Sequence, residues 1–295
     1  MPRPVDYQKI ALVMNEAAEA GRPVGGILYR RCPGIVRQIE ADKVSKAVFR
    51  LWGNTLNADE VVGQTIVHPS ILKAIGDLAE VDCTGETIHA GLEHTYGYLF
   101  STIETPFGFK RDRWVKPDIE NGFQIERPAL RPVPTEGTLL SNLTYFLGRH
   151  VFRGCRRELF LLRSLREHVS REVADASRYR TTNLIRVEEA VRLRGGVEVT
   201  IHTDLIPFAR QTESVFALLV YWVQDSREKN AQLITAFPVS RVFATDILDD
   251  ASFGKRLPIR TRFNGFVHGI TGRTVMGSRS RSVNDQRLAF LGILN

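Results

Sequence analysis

Hydrophobic and polar positions recur with two different periods along this chain, and the change of period divides it into two halves. In the first half, apolar residues return every three to four positions, as on the buried face of an α-helix. Residues 5–21 show this spacing and end at a glycine, and residues 69–78 begin with a proline at a favoured first-turn position. We predict helices over both segments and a third helix over residues 42–52.

Helical periodicity continues past the middle of the chain and then gives way to strands. Two further helices are predicted over residues 139–152 and 153–171. After residue 180 the pattern alternates or becomes rich in β-branched and aromatic residues, first in VEVTIHTDLI and then in VFALLVYWVQ and QLITAFPVS. A polar DSREKNA segment separates the last two runs, which predicts an antiparallel hairpin.

A proline-rich segment marks the boundary between the two patterns. Residues 126–137, ERPALRPVPTEG, contain three prolines and no periodicity, so they predict an extended crossing. We therefore expect an α+β fold, with a mainly helical region over 1–125 packed on an α+β region over 138–295 that holds a mainly antiparallel sheet. A single compact domain built from both regions is the open alternative.

Residues 84–108, TGETIHAGLEHTYGYLFSTIETPFG, hold the densest group of proton-handling side chains in the sequence. Apolar residues at helical spacing predict one long helix here, with Thr84 as its N-cap and Pro106 as its stop. In such a helix, His89, Glu93 and Tyr96 would occupy positions i, i+4 and i+7 and project from one face.

The three side chains on this predicted face have the properties that general acid–base catalysis requires. His89 would act as the base, Glu93 would orient it, and Tyr96 would donate a hydrogen bond to developing negative charge. In the alternative interpretation, Tyr96 and His89 belong to the core and Glu93 faces solvent. The pattern alone does not distinguish a catalytic face from a packed one.

A turn rich in cations and aromatic rings follows directly, centred on Gly108. Its candidate substrate-binding residues are Lys110, Arg111, Arg113 and Trp114. Rings beside fixed cations can hold a flat anion by stacking and by bidentate hydrogen bonds. The alternative is that the rings anchor the turn to the core while the cations stay hydrated.

The net charge of +7 raises nucleic acid as a competing partner. The basic residues concentrate in the last two thirds of the chain, and the helix predicted over 153–171 carries many arginines. Glutamates interrupt that helix, which favours a solvated surface laced with ion pairs over a phosphate-binding track. A nucleic-acid-binding protein or ribonuclease that uses the basic C-terminal half is therefore the first alternative function.

Neither a metal nor another cofactor is predicted. His89 and His94 stand five residues apart, about 140° around a helix, so they do not share a face for one ion. A metal ion stays an open alternative without a supporting ligand set, and the common nucleotide-binding motifs are missing from the sequence. Cys32, Cys83 and Cys155 are expected to be reduced thiols, with a nucleophilic Cys83 as the alternative.

No leader-like segment and no apolar run of about twenty residues is seen, so we expect a soluble cytoplasmic protein without a membrane partner. The leading hypothesis is an enzyme that acts on a small anionic or aromatic molecule by acid–base chemistry, as a hydrolase or a lyase. A non-catalytic interaction protein is the second alternative function. Homo-oligomerisation is left open.

Overall fold

The fold combines helices in the N-terminal half with antiparallel strands in the C-terminal half, which confirms the predicted α+β class. A computed structural model of the chain describes residues 5–44, 47–59, 64–85, 87–105, 108–115, 138–150, 185–192, 198–207, 213–225, 231–244, 266–268 and 273–275. Two predicted segments, the crossing at 126–137 and the arginine-rich helix at 153–171, lie outside the described residues.

Seven helices and two 3₁₀ turns lie wholly within the described residues. The helices are α1 (Tyr7–Glu19), α2 (Gly25–Arg31), α3 (Pro33–Val44), α4 (Ala47–Arg50), α5 (Pro69–Ala79), α6 (Ala90–Thr95) and α7 (Leu139–His150), and the 3₁₀ turns span Gly97–Phe100 and Lys110–Arg113. The helices predicted over 5–21, 69–78 and 139–152 are confirmed as α1, α5 and α7.

Local sequence signals fix both ends of α1. The Asp6 side chain accepts a hydrogen bond from the Lys9 backbone N–H at 3.0 Å, which satisfies one of the free donors of the first turn. At the other end, Gly21 has a φ of 68°, and the Arg22 N–H reaches back to the Ala17 carbonyl at 2.8 Å. A left-handed backbone at this position favours glycine, so Gly21 determines where α1 ends.

The helix predicted over residues 42–52 does not form with those bounds. Residues 42–44 end α3, and α4 covers only Ala47–Arg50. Beyond α4 the backbone pairs with a strand: the Leu233 N–H donates to the Leu51 carbonyl at 2.6 Å, and the Gly53 N–H donates to the Leu233 carbonyl at 2.8 Å. A partner distant in sequence therefore takes these backbone groups away from a helix.

The strands form two four-stranded sheets and one short hairpin. They are β1 (Asn54–Leu56), β2 (Thr87–His89), β3 (Glu104–Thr105), β4 (Gly108–Phe109), β5 (Ile185–Arg192), β6 (Glu198–Pro207), β7 (Ala217–Asp225), β8 (Ala231–Val239), β9 (Phe266–His268) and β10 (Arg273–Val275). The large sheet is antiparallel in the order β5-β6-β7-β8, the small sheet has the order β10-β9-β1-β2, and β3 pairs with β4. The hairpin predicted from the last two apolar runs is confirmed as β7–β8, with a bulge between Tyr221 and Trp222.

Trp52 connects the helices to the large sheet. It forms a parallel bridge with Leu233 in β8, and its indole N–H donates to the Thr144 hydroxyl of α7 at 2.9 Å. The buried cluster of apolar side chains around it includes residues from the helices and from β7 and β8. Within the described residues, no helix has the length and apolar character needed to cross a membrane.

The close packing of α6 against Trp52 leads to a prediction about Gly91. A Cβ atom on Gly91 would lie 2.9 Å from the Trp52 ring and 3.1 Å from the His89 ring. Gly91→Ala should therefore lower the free energy of unfolding by about 1 to 3 kcal/mol, because the indole cannot move without disturbing its hydrogen bond to Thr144 of α7. Chemical denaturation followed by circular dichroism measures the change.

Gly26→Ala in α2 is the matched control for this substitution. The nearest atom to a Cβ at Gly26 is 3.8 Å away, on the flexible side chain of Arg30. We expect this variant to be as stable as the wild type or up to about 1 kcal/mol more stable, because alanine favours the helix. Equal effects of the two substitutions would contradict the close approach of α6 to Trp52.

Candidate functional site

The segment predicted as one long helix is divided into three elements. Residues Thr87–His89 form β2, Ala90–Thr95 form α6 and Gly97–Phe100 form a 3₁₀ turn. The prediction of one helix over residues 84–108 is therefore wrong, because β2 pairs with β1 and the Ala90 N–H donates to the Gly53 carbonyl at 2.9 Å. Sheet pairing takes the backbone groups that a first helical turn would need.

The predicted start and stop of that helix serve other purposes or lie outside the described residues. Thr84 does not cap a helix, since its hydroxyl donates to the Asp82 carboxylate at 2.6 Å. Pro106 lies outside the described residues. The predicted face with His89, Glu93 and Tyr96 at i, i+4 and i+7 is consequently absent, since His89 belongs to a strand.

His89 caps α6, and both of its ring nitrogens have a partner. Nδ1 accepts a hydrogen bond from the Leu92 N–H at 3.2 Å, and Nε2 lies 3.1 Å from the Phe49 carbonyl oxygen. Because a carbonyl only accepts, Nε2 carries the proton and the ring is neutral. Burial lowers the pKa of His89 to about 4.

Tyr96 contacts a separate buried network at the opposite end of α6. Its hydroxyl donates to the Asp42 carboxyl at 2.5 Å, and the Thr138 hydroxyl donates to the other Asp42 oxygen at 2.5 Å. Burial raises the pKa of Asp42 to about 7, although both hydrogen bonds favour its charged form. Tyr96 therefore ties α6 to α3 and to the start of α7.

Glu93 lies in the interior without a hydrogen-bond partner. Its side chain is 0% exposed, and neither carboxyl oxygen accepts or donates a hydrogen bond within the described part of the chain. One of its oxygens lies 3.6 Å from Nε2 of the neighbouring His94. Burial raises the pKa of Glu93 to about 8, and the positive charge of Lys110 limits the rise.

Lys110 is buried beside this carboxyl in an ion pair with Asp59. Its Nζ lies 2.8 Å from an Asp59 oxygen and 4.8 Å from the centre of the Tyr98 ring. Burial and the neighbouring charge of Arg113 lower the pKa of Lys110 to about 8, while Asp59 and Glu93 act in the opposite direction. The ion pair with Asp59 fixes the position of the ammonium group, while burial favours the neutral amine form of Lys110.

The other candidate substrate-binding residues of the turn differ in the contacts that their side chains make. Arg111 stacks on Phe109 at 3.8 Å, with Nη1 3.5 Å from the Ser101 carbonyl oxygen. The Trp114 indole N–H donates to the His94 carbonyl at 2.6 Å, which anchors the turn to α6. The Arg113 guanidinium lies 4.1 Å from the Phe237 ring centre.

The structure thus gathers a buried group of titratable side chains, which we call the Glu93 cluster. It consists of Asp59, Glu93, His94, Tyr98, Lys110 and Arg113. Glu93 and the cations were predicted from the sequence, but Asp59 and Tyr98 were missed because neither carries a local signal. Such a cluster can hold and exchange protons near neutral pH.

His94 is buried, whereas the alternative interpretation of the sequence placed it in solvent together with Glu93. Its ring meets the Tyr98 ring edge to face at 4.9 Å, and its Nδ1 is buried without a hydrogen bond in the described residues. Burial lowers the pKa of His94 well below its usual range, and the charges of Lys110 and Arg113 lower it further. Its imidazole is therefore neutral.

Metal and thiol chemistry receive no support within the described residues. In these parts of the chain, no group of three or more His, Cys, Asp or Glu side chains is placed to hold a metal ion. Cys83 is buried at the end of a loop, and burial raises the pKa of its thiol to about 11. Burial raises the pKa of Cys32 to about 12, and Cys155 lies outside the described residues.

Comparisons with protein-family models, with curated proteins and with solved structures found no match to the chain. No residue role is therefore transferred from a relative. The function is inferred from the geometry of the Glu93 cluster and the elements that hold it.

The capping role of His89 can be tested with two substitutions. His89→Ala removes the cap and should lower the free energy of unfolding by about 1 to 2 kcal/mol at pH 7. His89→Asn should lose less, because asparagine is a good N-cap. Thermal and urea denaturation measure both changes, and equal losses in the two variants would contradict the capping role.

Wild type and His89→Asn should also differ in how their free energy of unfolding depends on pH. The folded-state pKa of His89 lies below the unfolded value, so its contribution to stability is complete above about pH 6.5 and is lost as the pH falls toward 4. The stability of wild type relative to His89→Asn should therefore fall by about 3 kcal/mol over this interval, so that the variant becomes the more stable protein near pH 4. A difference that stays constant with pH would contradict a buried neutral His89.

Proposed function

We propose that the protein is a cytoplasmic enzyme that acts on a small anionic or aromatic molecule by general acid–base chemistry, as a hydrolase or a lyase. The observation that carries this proposal is the carboxyl group of Glu93, which is buried with both oxygens unpartnered in the described part of the chain. Buried polar groups are ordinarily hydrogen-bonded, so an unpartnered one calls for an explanation.

The surroundings of Glu93 determine its protonation state. An ionised carboxylate in the interior requires donors or water, and its burial without them costs several kcal/mol. The group therefore takes up a proton, which agrees with the raised pKa. At neutral pH, Glu93 is a carboxylic acid that can donate its proton to a reacting group.

Lys110 supplies a second exchangeable proton beside the first. Its lowered pKa brings an ammonium group close to the pH at which Glu93 titrates. Hydrolysis and elimination both need one proton delivered and another removed: Glu93 delivers the first, and Lys110 accepts the other in the fraction of molecules in which it is a neutral amine. Asp59 fixes the position of Lys110 by the 2.8 Å ion pair.

In this proposal His89 and Tyr96 are positioning residues. Both nitrogens of His89 have backbone partners, so no lone pair is left to accept a substrate proton. Tyr96 donates to Asp42 and holds the C-terminal end of α6. Together they fix the short helix that carries Glu93, while the turn over residues 108–114 provides cations and rings on one side of the cluster.

Glu93→Gln tests the proposal directly. Purified protein would be incubated with a small-molecule extract of cells, and consumed compounds would be identified by mass spectrometry. We expect wild type to convert a small anionic or aromatic compound, and Glu93→Gln to lose at least about 100-fold in rate because the amide has no acidic proton. Glu40→Gln, which alters an exposed glutamate of α3, is the matched control and should keep the wild-type rate.

Two results would refute the proposal that this protein is an enzyme. One is a folded Glu93→Gln variant with full turnover, and the other is a wild type that consumes no compound. The rate should also change little between about 50 and 200 mM salt, whereas nucleic-acid affinity would fall steeply over this range by counterion release. Steep salt dependence with added RNA or DNA would favour the competing nucleic-acid-binding function.

The stability of the same variant reports on the proton of Glu93. Because the folded-state pKa is raised above the unfolded value, Glu93 favours the folded state most below about pH 4.5, and this advantage is lost as the pH rises through about 8. Glu93→Gln should gain at least about 1 kcal/mol relative to wild type between pH 5 and pH 8. Parallel stability curves would show that Glu93 is not desolvated.

A further inference from the structure

Arg113 lies at the edge of the Glu93 cluster, and none of the described residues supplies an anionic partner for its guanidinium group. Its central carbon lies 4.1 Å from the centre of the Phe237 ring and 5.4 Å from that of the Tyr98 ring. Ring faces attract the cation but do not accept the hydrogen bonds of its five N–H groups. Within the described residues, Arg113 forms neither an ion pair nor a hydrogen bond.

The neighbouring cations are already engaged. Lys110 is paired with Asp59 at 2.8 Å, and Arg111 lies over Phe109 with its Nη1 3.5 Å from the Ser101 carbonyl oxygen. Arg113 is therefore the cation of the turn that is left to bind an external group. Two aromatic side chains from different parts of the chain limit its movement, which lowers the entropy lost when a ligand binds.

The charge of the cluster calls for one more negative group. Glu93 holds its proton because no donor of the described residues reaches its oxygens, so Asp59 is the acid that opposes Lys110 and Arg113 within this part of the chain. Among the described residues, one positive charge is therefore left uncompensated in a half-buried position. Burial also lowers the pKa of Arg113, which reflects the cost of holding this charge away from water.

Arg113 also lies where the cluster meets the surface. Its side chain and that of Phe237 are half-buried, whereas Asp59, Glu93 and Lys110 are buried. A ligand could reach the guanidinium from solvent and then place its body against the ring of Phe237. The proton of Glu93 lies further inside.

We propose that Arg113 binds the carboxylate of the substrate, and that this substrate is a monoanionic acid with an aromatic or apolar body that packs on Phe237. A planar carboxylate matches the fork of the guanidinium and supplies the single missing charge, whereas a phosphate dianion would leave an excess negative charge. This inference rests on the proposed function, since it names the substrate class of the same site.

Binding of benzoate to the full-length protein tests the inference without requiring turnover. Isothermal titration calorimetry at pH 7 would compare benzoate with neutral benzamide and with phenyl phosphate. We expect benzoate to bind at least tenfold more tightly than either, because it alone combines a ring with a single negative charge. Benzamide binding equal to benzoate binding would overturn the charge argument, and tighter binding of phenyl phosphate would overturn the choice of a carboxylate.

Substitutions of Arg113 locate the site. Arg113→Gln should weaken benzoate binding at least tenfold, and Arg113→Lys should fall between this variant and wild type, because lysine keeps the charge and loses the fork. Arg241→Gln is the matched control: Arg241 also lies over a ring, that of Phe216 at 4.6 Å, but has a carboxylate partner in Glu213. It should bind benzoate as wild type does, and circular dichroism would verify folding.

The outcomes separate this inference from the proposed function. Benzoate binding that depends on Arg113 in a protein without any turnover would support the anion site and refute the enzyme. Turnover that continues in folded Arg113→Gln with an unchanged KM would refute the anion site and leave the enzyme in place. Benzoate affinity that is equal in Arg113→Gln and wild type would also overturn the inference.

Discussion

The backbone pairing of residues 51–53 with Leu233 is the contact on which the rest of the structure depends. Two hydrogen bonds, at 2.6 and 2.8 Å, join a segment that follows the first four helices to the middle of β8. Net stabilisation by each bond is only about 1 kcal/mol, but together they fix the position of Trp52, whose burial contributes more. β1 follows directly and pairs with β2, and α6 begins where β2 ends. The pairing of the two strands therefore determines the position of α6.

The position of α6 explains why a glutamate is buried in this protein. A helix of six residues is not stable in isolation, since nucleation costs more than so few hydrogen bonds return. Its position is determined by neighbours at both ends: His89 caps it at the β2 junction, and Tyr96 anchors it to Asp42. With the helix held in this way, Glu93 faces the interior whatever its own preference for water, and its pKa rises as a result.

The Glu93 cluster contributes little to stability in relation to the desolvation it requires. A buried ion pair such as Lys110–Asp59 roughly offsets the cost of removing two charges from water, and an unpartnered carboxyl adds a further cost. Apolar residues of similar size would stabilise the same space better. Strongly perturbed titratable groups are concentrated at functional sites, and here they lie beside Arg113, which has no ion-pair partner within the described part of the chain.

Local sequence determined the elements whose signals are local. The ends and spacing of α1, α5 and α7, the alternation of β6 and the apolar, β-branched runs of β7 and β8 were sufficient for the α+β class, because these patterns are local properties of helix and strand. The segment from residue 84 to 108 has a helical pattern too, yet β1 competes for its backbone from thirty residues away. Tertiary structure alone decided that Asp59 and Phe237 would join the cations of the turn, since burial and charge pairing depend on partners that no window of sequence contains.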